Sequence, residues 1–244
     1  MRATIGGWLI IGIMLSLGCT AQPSQAPVTT PATTPATTPG TAPGGASIRY
    51  VALGDSYTIG TSVPASERWP EELVRRLGDD LDFELVANLA INGYTSADLI
   101  ADQLPDLDAL QPGFVSLQIG VNDVVQGVPR EQYRANVERI LGDLLARLPN
   151  DRIVVISTPD YTRTPRGADF GDRDQQRAAI DEVNEIMADE AAARGIAFVD
   201  IGAVADSAGG EPALVAGDGL HPSGAQYREW VGLIEPAVRA LLSH

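Results

Sequence analysis

Lysine is absent from this sequence of 244 residues, and all 17 basic side chains are arginine. A chain without lysine cannot form a Schiff base or use a lysine as a general base. Acidic residues number 32, so the formal net charge is −15. Nucleic-acid binding needs clustered cations that replace the counterions of the phosphates. The composition therefore excludes lysine chemistry and argues against a nucleic-acid partner.

Cysteine and histidine are also scarce. The single cysteine, Cys19, has no partner for an intramolecular disulfide, so an apolar core must hold the fold together. Of the two histidines, His244 is the final residue, which leaves His221 as the candidate imidazole base. A protein metal site needs three or four ligands. With one usable histidine and no cysteine in the globular part, we expect no metal centre.

The amino-terminal segment has the composition of a signal peptide. An apolar run from Ala3 to Leu17 is shorter than the roughly 20 residues that cross a bilayer, so residues 1–18 are predicted to be removed as a signal peptide. Its end, LSLGC, resembles the lipobox of bacterial lipoproteins, although Ser16 stands where leucine is usual. This resemblance implies that Cys19 is lipidated; cleaved secretion and an uncleaved anchor are the alternatives.

A segment rich in proline, threonine and alanine follows, with PATT repeated. It holds too few apolar side chains to build a core, so we expect residues 19–47 to be the lipidation site and a disordered linker. Such a linker would hold a domain of residues 48–244 away from a membrane; a degradation-tolerant tail is the alternative. The predicted location is extracytoplasmic, with membrane contact only through a lipidated Cys19, or otherwise secreted.

From residue 48 onward, short apolar runs alternate with helical patterns. Five runs are too short for helices and lack strict alternation, as expected for strands buried on both faces: Ile48–Leu53, Phe83–Ala87, Phe114–Ile119, Ile153–Ser157 and Ile196–Ile201. Helical patterns lie at Pro70–Leu77, Ser96–Leu104, Arg130–Leu148, Arg173–Arg194 and Ser223–Leu242. This alternation predicts a three-layer α/β/α sandwich with five parallel strands and right-handed crossovers.

In such sheets ligands bind beyond the carboxyl ends of the strands, so the residues after each strand are the candidates for a site. Ser56 follows the first strand in GDSYTIG, at a turn into a helix. That position presents its hydroxyl above the sheet and its N–H toward developing negative charge. Ser56 is a candidate nucleophile, and an ordinary helix cap is the alternative.

Two further turns carry candidate hydrogen-bond donors. Gly93, in NLAING after the second strand, lets the backbone approach a ligand, unless it is an ordinary loop glycine. Asn122, in GVND after the third strand, has an amide that can donate to an oxyanion or form an Asx turn. The neighbouring Asp123 is interpreted as a local backbone anchor.

The sequence DGLHP precedes the last predicted helix. Asp218 lies three residues before His221, a spacing at which its carboxylate can accept from Nδ1–H and stabilise the imidazolium. A nucleophile candidate, oxyanion donors and an acid–base pair thus fall on one edge of the predicted sheet. Unrelated caps and turns would rarely all fall there.

Together, GDSYTIG, NLAING, GVND and DGLHP resemble the four blocks of the SGNH hydrolases, also called the GDSL esterase/lipase family. The resemblance runs from Ile48 to the final helix and implies a flavodoxin-like sheet with strand order 2-1-3-4-5. Tyr57 departs from the family pattern, since it stands where the family name has leucine.

The resemblance also implies roles for residues. By similarity, Ser56 is the nucleophile and first oxyanion donor, and Gly93 N–H and the Asn122 amide complete the oxyanion hole. His221 is the base and Asp218 its orienting acid. The implied reaction is hydrolysis of a small carboxylic ester, with a short acyl chain, through an acyl-enzyme and without a cofactor or metal. Thioesters, lysophospholipids and acetylated sugars are further candidate substrates.

The connection of residues 158–170 is long, and we expect it to lie over the site as a specificity loop. Its Tyr161 and Phe170, with Tyr57, are candidates for the wall of a substrate pocket; aromatic packing anchors in an exposed loop are the alternative.

Two other functions are alternatives for these residues. One is a noncatalytic carbohydrate- or lipid-binding surface lipoprotein that uses the same cleft. The other is a metal-dependent hydrolase or phosphodiesterase that uses Asp55, Asp218 and His221.

Overall fold

The computed structural model describes residues 47–78 and 80–243. The predicted signal peptide, the candidate lipidation site Cys19 and nearly all of the predicted linker lie outside the described residues. No helix within the described ranges is long and apolar enough to span a bilayer.

Five parallel strands form one sheet with the order β2-β1-β3-β4-β5. They are β1 (Ile48–Gly54), β2 (Phe83–Asn88), β3 (Phe114–Gln118), β4 (Ile153–Ile156) and β5 (Ala197–Val199). The central strands β3 and β4 are buried along their whole length, which explains their continuous apolar sequences. The predicted strands and the order implied by the resemblance are confirmed.

Helices connect the strands on both sides of the sheet. They are α1 (Ser56–Ile59), α2 (Trp69–Leu77), α3 (Ser96–Asp98), α4 (Leu107–Leu110), α5 (Val121–Val125), α6 (Arg130–Leu145), α7 (Arg173–Ala193), α8 (Gly202–Ser207) and α9 (Gly224–Leu242). The predicted single helix Ser96–Leu104 is wrong in detail, because α3 passes into a π-helical turn, Leu99–Gln103, and then into a 3₁₀ turn, Leu104–Asp106. Pro105, which lacks an N–H, lies in that 3₁₀ turn.

Two apolar cores lie on opposite faces of the sheet. On one face Val51 and Leu53 of β1 pack with residues of α6 and α7. On the other face Ala52 packs with the fully buried Trp69 and Trp230 of α2 and α9. Successive residues of one strand therefore enter different cores, as expected for a sheet that is covered on both sides.

The stability of the fold is predicted to depend on these cores. Leu141 of α6 is fully buried, so Leu141→Ala should lower the free energy of unfolding by about 2–5 kcal/mol, because it leaves a cavity. Leu233 of α9 is 40% exposed and provides the matched control; Leu233→Ala should cost about 1 kcal/mol or less. Urea denaturation of both variants measures the difference, and equal losses would contradict this account.

Candidate active site

The turn between β1 and α1 carries Ser56. Gly54 has φ +157°, and a Cβ on it would lie 2.4 Å from Thr58 Oγ1 and 2.5 Å from the carbonyl oxygen of Gln118. No side chain fits there. Gln103 of the π-helical turn binds both backbone groups of Gly54, accepting from its N–H at 3.0 Å and donating to its carbonyl at 2.7 Å. The backbone that leads into Ser56 is therefore tightly fixed.

Asp55, and not Ser56, caps α1. The carboxylate oxygen Oδ1 of Asp55 accepts the N–H of Tyr57 at 3.0 Å, which satisfies one of the free N–H groups at the start of the helix. The Ser56 side chain makes no hydrogen bond to any of the described residues and is 8% exposed. Its hydroxyl is therefore not engaged in capping.

The second half of the site is the loop before α9. Asp218 Oδ2 lies 2.6 Å from His221 Nδ1, and Asp218 Oδ1 accepts the N–H groups of Leu220 at 2.9 Å and His221 at 3.0 Å. Burial favours a raised pKa for Asp218, but the hydrogen bonds from His221, from the Leu220 N–H and from Ser62 outweigh it and hold the pKa well below its usual range. Asp218 is therefore an ionised partner for the imidazole.

Three candidate donors, the N–H groups of Ser56 and Gly93 and the amide of Asn122, belong to residues that line one cavity. Among the described residues, the N–H groups of Ser56 and Gly93 have no protein acceptor. Gly93 has φ +82°, a left-handed conformation that favours glycine, although a Cβ there would meet nothing within 4 Å. Asn122 forms no Asx turn: its Nδ2 donates to the Tyr94 carbonyl at 2.9 Å and lies 3.4 Å from Asp55 Oδ2. These two acceptors orient the amide.

A cavity of about 200 Å³ brings the predicted site residues together. Its lining is Ser56, Tyr57, Asn92, Gly93, Val121, Asn122, Val125, Tyr161, Phe170, Leu220 and His221. Asp218 stands behind His221. No hydrogen bond joins Ser56 Oγ to His221 in the part of the chain that the structure describes; in ligand-free sites such bonds are often long and tighten when substrate binds.

The segment 158–170 packs against the site. It contains two 3₁₀ turns, Tyr161–Arg163 and Gly167–Phe170, and the rings of Tyr161 and Phe170 meet edge to face at 5.3 Å between centroids. Arg166 N–H donates to the carbonyl of Gly219 at 3.0 Å, in the loop that holds His221. Both aromatic rings line the cavity, and their part in specificity stays a prediction.

Two buried carboxylates, those of Asp55 and Asp123, lie next to Ser56 and Asn122 in the chain. Asp123 accepts the Ser96 N–H at 2.9 Å, so it anchors backbone as expected, although the anchored residue lies 27 positions away. Asp55 is 1% exposed, and burial together with repulsion by Asp123 raises its pKa to about 7, against the opposing hydrogen bond from Tyr57 N–H. Asp55 therefore takes up a proton close to neutral pH.

Sequence reasoning missed several supporting residues. Gln103 belongs to no recognisable motif; its signal is only a polar side chain within the predicted helix Ser96–Leu104. Tyr94 acts through a backbone carbonyl, which leaves no trace in the side-chain pattern. Ser62, which donates to Asp218 Oδ2 at 2.7 Å, lies 156 residues from its partner.

Other candidate sites are less suited to chemistry. Among the described residues, no three or more histidine, cysteine, aspartate or glutamate side chains are grouped to hold a metal ion, so Asp55, Asp218 and His221 do not form such a group. A larger cavity of about 510 Å³ lies beside α7, with Asp160, Arg177 and Asp200 in its wall. Neither Ser56 nor His221 lines it.

Comparison with known proteins relates the chain to ester hydrolases. The model of the GDSL-like lipase/acylhydrolase family matches residues 52–229. An arylesterase from Vibrio mimicus is 31% identical over 97 residues, which cover 39% of this chain and only 48% of that protein. Esterase TesA from Pseudomonas aeruginosa is 25% identical over 193 residues, 79% of this chain and 88% of that protein.

A solved structure shows the same fold. An acetylxylan esterase from Geobacillus stearothermophilus is 22% identical and superposes with a TM-score of 0.62, over 82% of this chain and 96% of that chain.

The raised pKa of Asp55 predicts a pH-dependent stability. Between its ordinary value of 3.8 and about 7, the folded protein holds a proton that the unfolded chain has released, so stability falls as pH rises through this window. The shift corresponds to a loss of about 4 kcal/mol in the free energy of unfolding across this window. Asp55→Asn cannot ionise and should lose most of this fall, as measured by urea denaturation from pH 4 to pH 8.

The exposed Asp106 offers the matched control, because Asp106→Asn should keep the wild-type pH dependence. An Asp55→Asn variant with an unchanged pH dependence would show that Asp55 is not the group responsible.

Proposed function

The chain belongs to the GDSL-like lipase/acylhydrolase family and is a serine ester hydrolase, and from this premise we propose that it cleaves short-acyl carboxylic esters with Ser56 as nucleophile, His221 as base and Asp218 as orienting acid. The observation that carries the proposal is the single cavity that Ser56 and His221 line together with Gly93 and Asn122.

Acylation begins when His221 Nε2 removes the proton of the Ser56 hydroxyl as Oγ attacks the ester carbonyl carbon. Asp218 accepts a hydrogen bond from Nδ1–H of His221, which leaves Nε2 free to take the proton. Its ionised carboxylate then stabilises the imidazolium. The carbonyl oxygen becomes an oxyanion in the resulting tetrahedral intermediate.

The oxyanion would be held by the N–H groups of Ser56 and Gly93 and by the Asn122 amide. Among the described residues both backbone groups lack protein acceptors, and one N–H of the amide donates to the Tyr94 carbonyl. Its other N–H would exchange the long 3.4 Å contact with Asp55 Oδ2 for the oxyanion. Preorganised donors of this kind stabilise charge that develops in the transition state.

The intermediate then breaks its bond to the alcohol oxygen, and the imidazolium of His221 protonates that oxygen, so the alcohol leaves and an acyl-Ser56 ester remains. In the second half, His221 removes a proton from water as the water oxygen attacks the acyl carbon. The intermediate collapses, Ser56 regains its proton, and the carboxylic acid is released.

A small acyl group fits the cavity best. Its volume of about 200 Å³ is below the roughly 300–1,000 Å³ of sites for drug-sized ligands. Tyr161 and Phe170 close one side with aromatic rings that contact each other. We propose that these rings limit the length of the acyl chain.

The noncatalytic binding alternative would be favoured by a missing catalytic side chain, and none of the five residues of the proposed triad and oxyanion hole is missing. The location we propose is extracytoplasmic, by lipidation of Cys19 or by secretion. Its support is the amino-terminal sequence alone.

Removal of one oxyanion donor is predicted to slow turnover without unfolding the protein. Asn122→Ala should lower kcat by about 10²–10³ while the melting temperature changes little. Asn150, exposed at the opposite edge of the sheet, gives the control Asn150→Ala, which should keep wild-type kcat. A folded Asn122→Ala variant that keeps its activity would exclude the amide as an oxyanion donor, and an unfolded one would indicate a structural role for Asn122 instead.

The preference of the enzyme for short acyl chains is predicted to depend on Phe170. Wild-type kcat/KM for p-nitrophenyl esters should decline from acetate and butyrate toward decanoate. Phe170→Ala should raise the ratio of kcat/KM for the longer esters to kcat/KM for acetate by about tenfold, because it enlarges the pocket. Phe198→Ala, a change in the wall of the larger cavity, is the matched control and should leave the ratio unchanged. An unchanged ratio in Phe170→Ala would remove this ring from the acyl pocket.

A further inference from the structure

Ser62 has an unusual backbone conformation. Among residues 47–78 and 80–243, only Ser62 (φ +69°) and Gln111 (φ +46°) combine a positive φ with a side chain. A side chain in this left-handed region crowds the adjacent carbonyl, which destabilises the fold and makes glycine the preferred residue. Ser62 lies in an exposed turn, so burial of its side chain contributes little stability that could offset this strain. Such strain persists mainly where a residue has a function.

The Ser62 hydroxyl binds an acid of the proposed triad. Ser62 Oγ donates to Asp218 Oδ2 at 2.7 Å, and the same oxygen faces His221 Nδ1 at 2.6 Å. Asp218 Oδ1 meanwhile accepts two backbone N–H groups. A carboxylate offers about four acceptor positions, so all of them are occupied, and Ser62 fills the last.

The turn that carries Ser62 is attached to the nucleophile segment. Thr61 N–H donates to the Ser56 carbonyl at 3.0 Å, and Thr61 Oγ1 donates to Asn92 Oδ1 at 2.6 Å. Through Ser62 this turn reaches the loop of Asp218. The hydrogen bond therefore connects the segment of the nucleophile with the segment of the acid and base.

Charged neighbours do not replace this contact. Arg68 lines the same groove as Ser62 but pairs with Glu71 at 3.7 Å. Arg166, near Gly219, pairs with Asp169 at 2.7 Å.

The phenols of Tyr57 and Tyr227 also lie in the surroundings of Asp218, and neither hydroxyl has a hydrogen-bond partner among the described residues. Apart from His221, Ser62 is the described side chain that hydrogen-bonds to this carboxylate.

We propose that Ser62 is a positioning residue for the triad, which holds the Asp218 carboxylate so that Oδ2 faces His221 Nδ1. The inference rests on the proposed function, because it assumes that Asp218 and His221 act on Ser56. Glycine would relieve the strain at this exposed turn, so the hydrogen bond from the hydroxyl to Asp218 gives a reason for serine at this position.

The decisive variant is Ser62→Gly, which removes the hydroxyl and relieves the backbone strain together. We expect kcat to fall about threefold to thirtyfold with little change in KM or melting temperature.

Two further variants separate the hydroxyl from the backbone. Ser62→Thr keeps the hydroxyl on a β-branched side chain at positive φ, so kcat should stay within about threefold of wild type while the melting temperature falls. Gln111→Gly relieves similar strain at the opposite edge of the sheet and should leave kcat unchanged.

The outcomes separate this inference from the proposed function. A Ser62→Gly variant with wild-type kcat would overturn the role of Ser62, as would equal losses of kcat in Ser62→Gly and Ser62→Thr. If Ser56→Ala is inactive in the same assay, the proposed nucleophile stands. An active Ser56→Ala would instead overturn the proposed function.

Discussion

The two hydrogen bonds between Gln103 and the backbone of Gly54 hold the turn on which the rest of the site depends. This turn ends the buried strand β1 and begins α1 within two residues. It presents the Ser56 N–H and hydroxyl at the carboxyl edge of the sheet and buries Asp55 behind them. Because a Cβ on Gly54 would collide with Thr58 and Gln118, the turn tolerates no side chain at this position.

Two carboxylates near this turn differ because their surroundings differ. Asp218 receives four hydrogen bonds, so its charge is stabilised and it can support a positive imidazole. Asp55 is more deeply buried and near a second acid, Asp123, so its pKa rises to about 7. Opposite environments push like groups toward opposite protonation states. In the proposed mechanism the ionised Asp218 stabilises the imidazolium, and Asp55, without full charge, lies close to the proposed oxyanion donor Asn122.

The sequence predicted much of the fold because that information is local. Apolar runs of strand length, separated by helical patterns, identified all five strands, and the motif residues follow strands β1, β2 and β3 or precede α9. The partners that hold those residues in place were not predictable. Gln103 lies in a π-helical turn that looks like ordinary helix in the sequence, and Ser62 meets Asp218 only because the fold brings together residues 156 positions apart. Long-range polar contacts of this kind leave no periodic pattern.

Ser56 is proposed to be an activated nucleophile, and reaction with an organophosphonate probe followed by intact-mass measurement detects such a serine. We expect a single adduct in the wild type, none in Ser56→Ala, and much slower labelling in His221→Ala. Folded wild-type protein that forms no adduct, or an adduct that persists in Ser56→Ala, would contradict it.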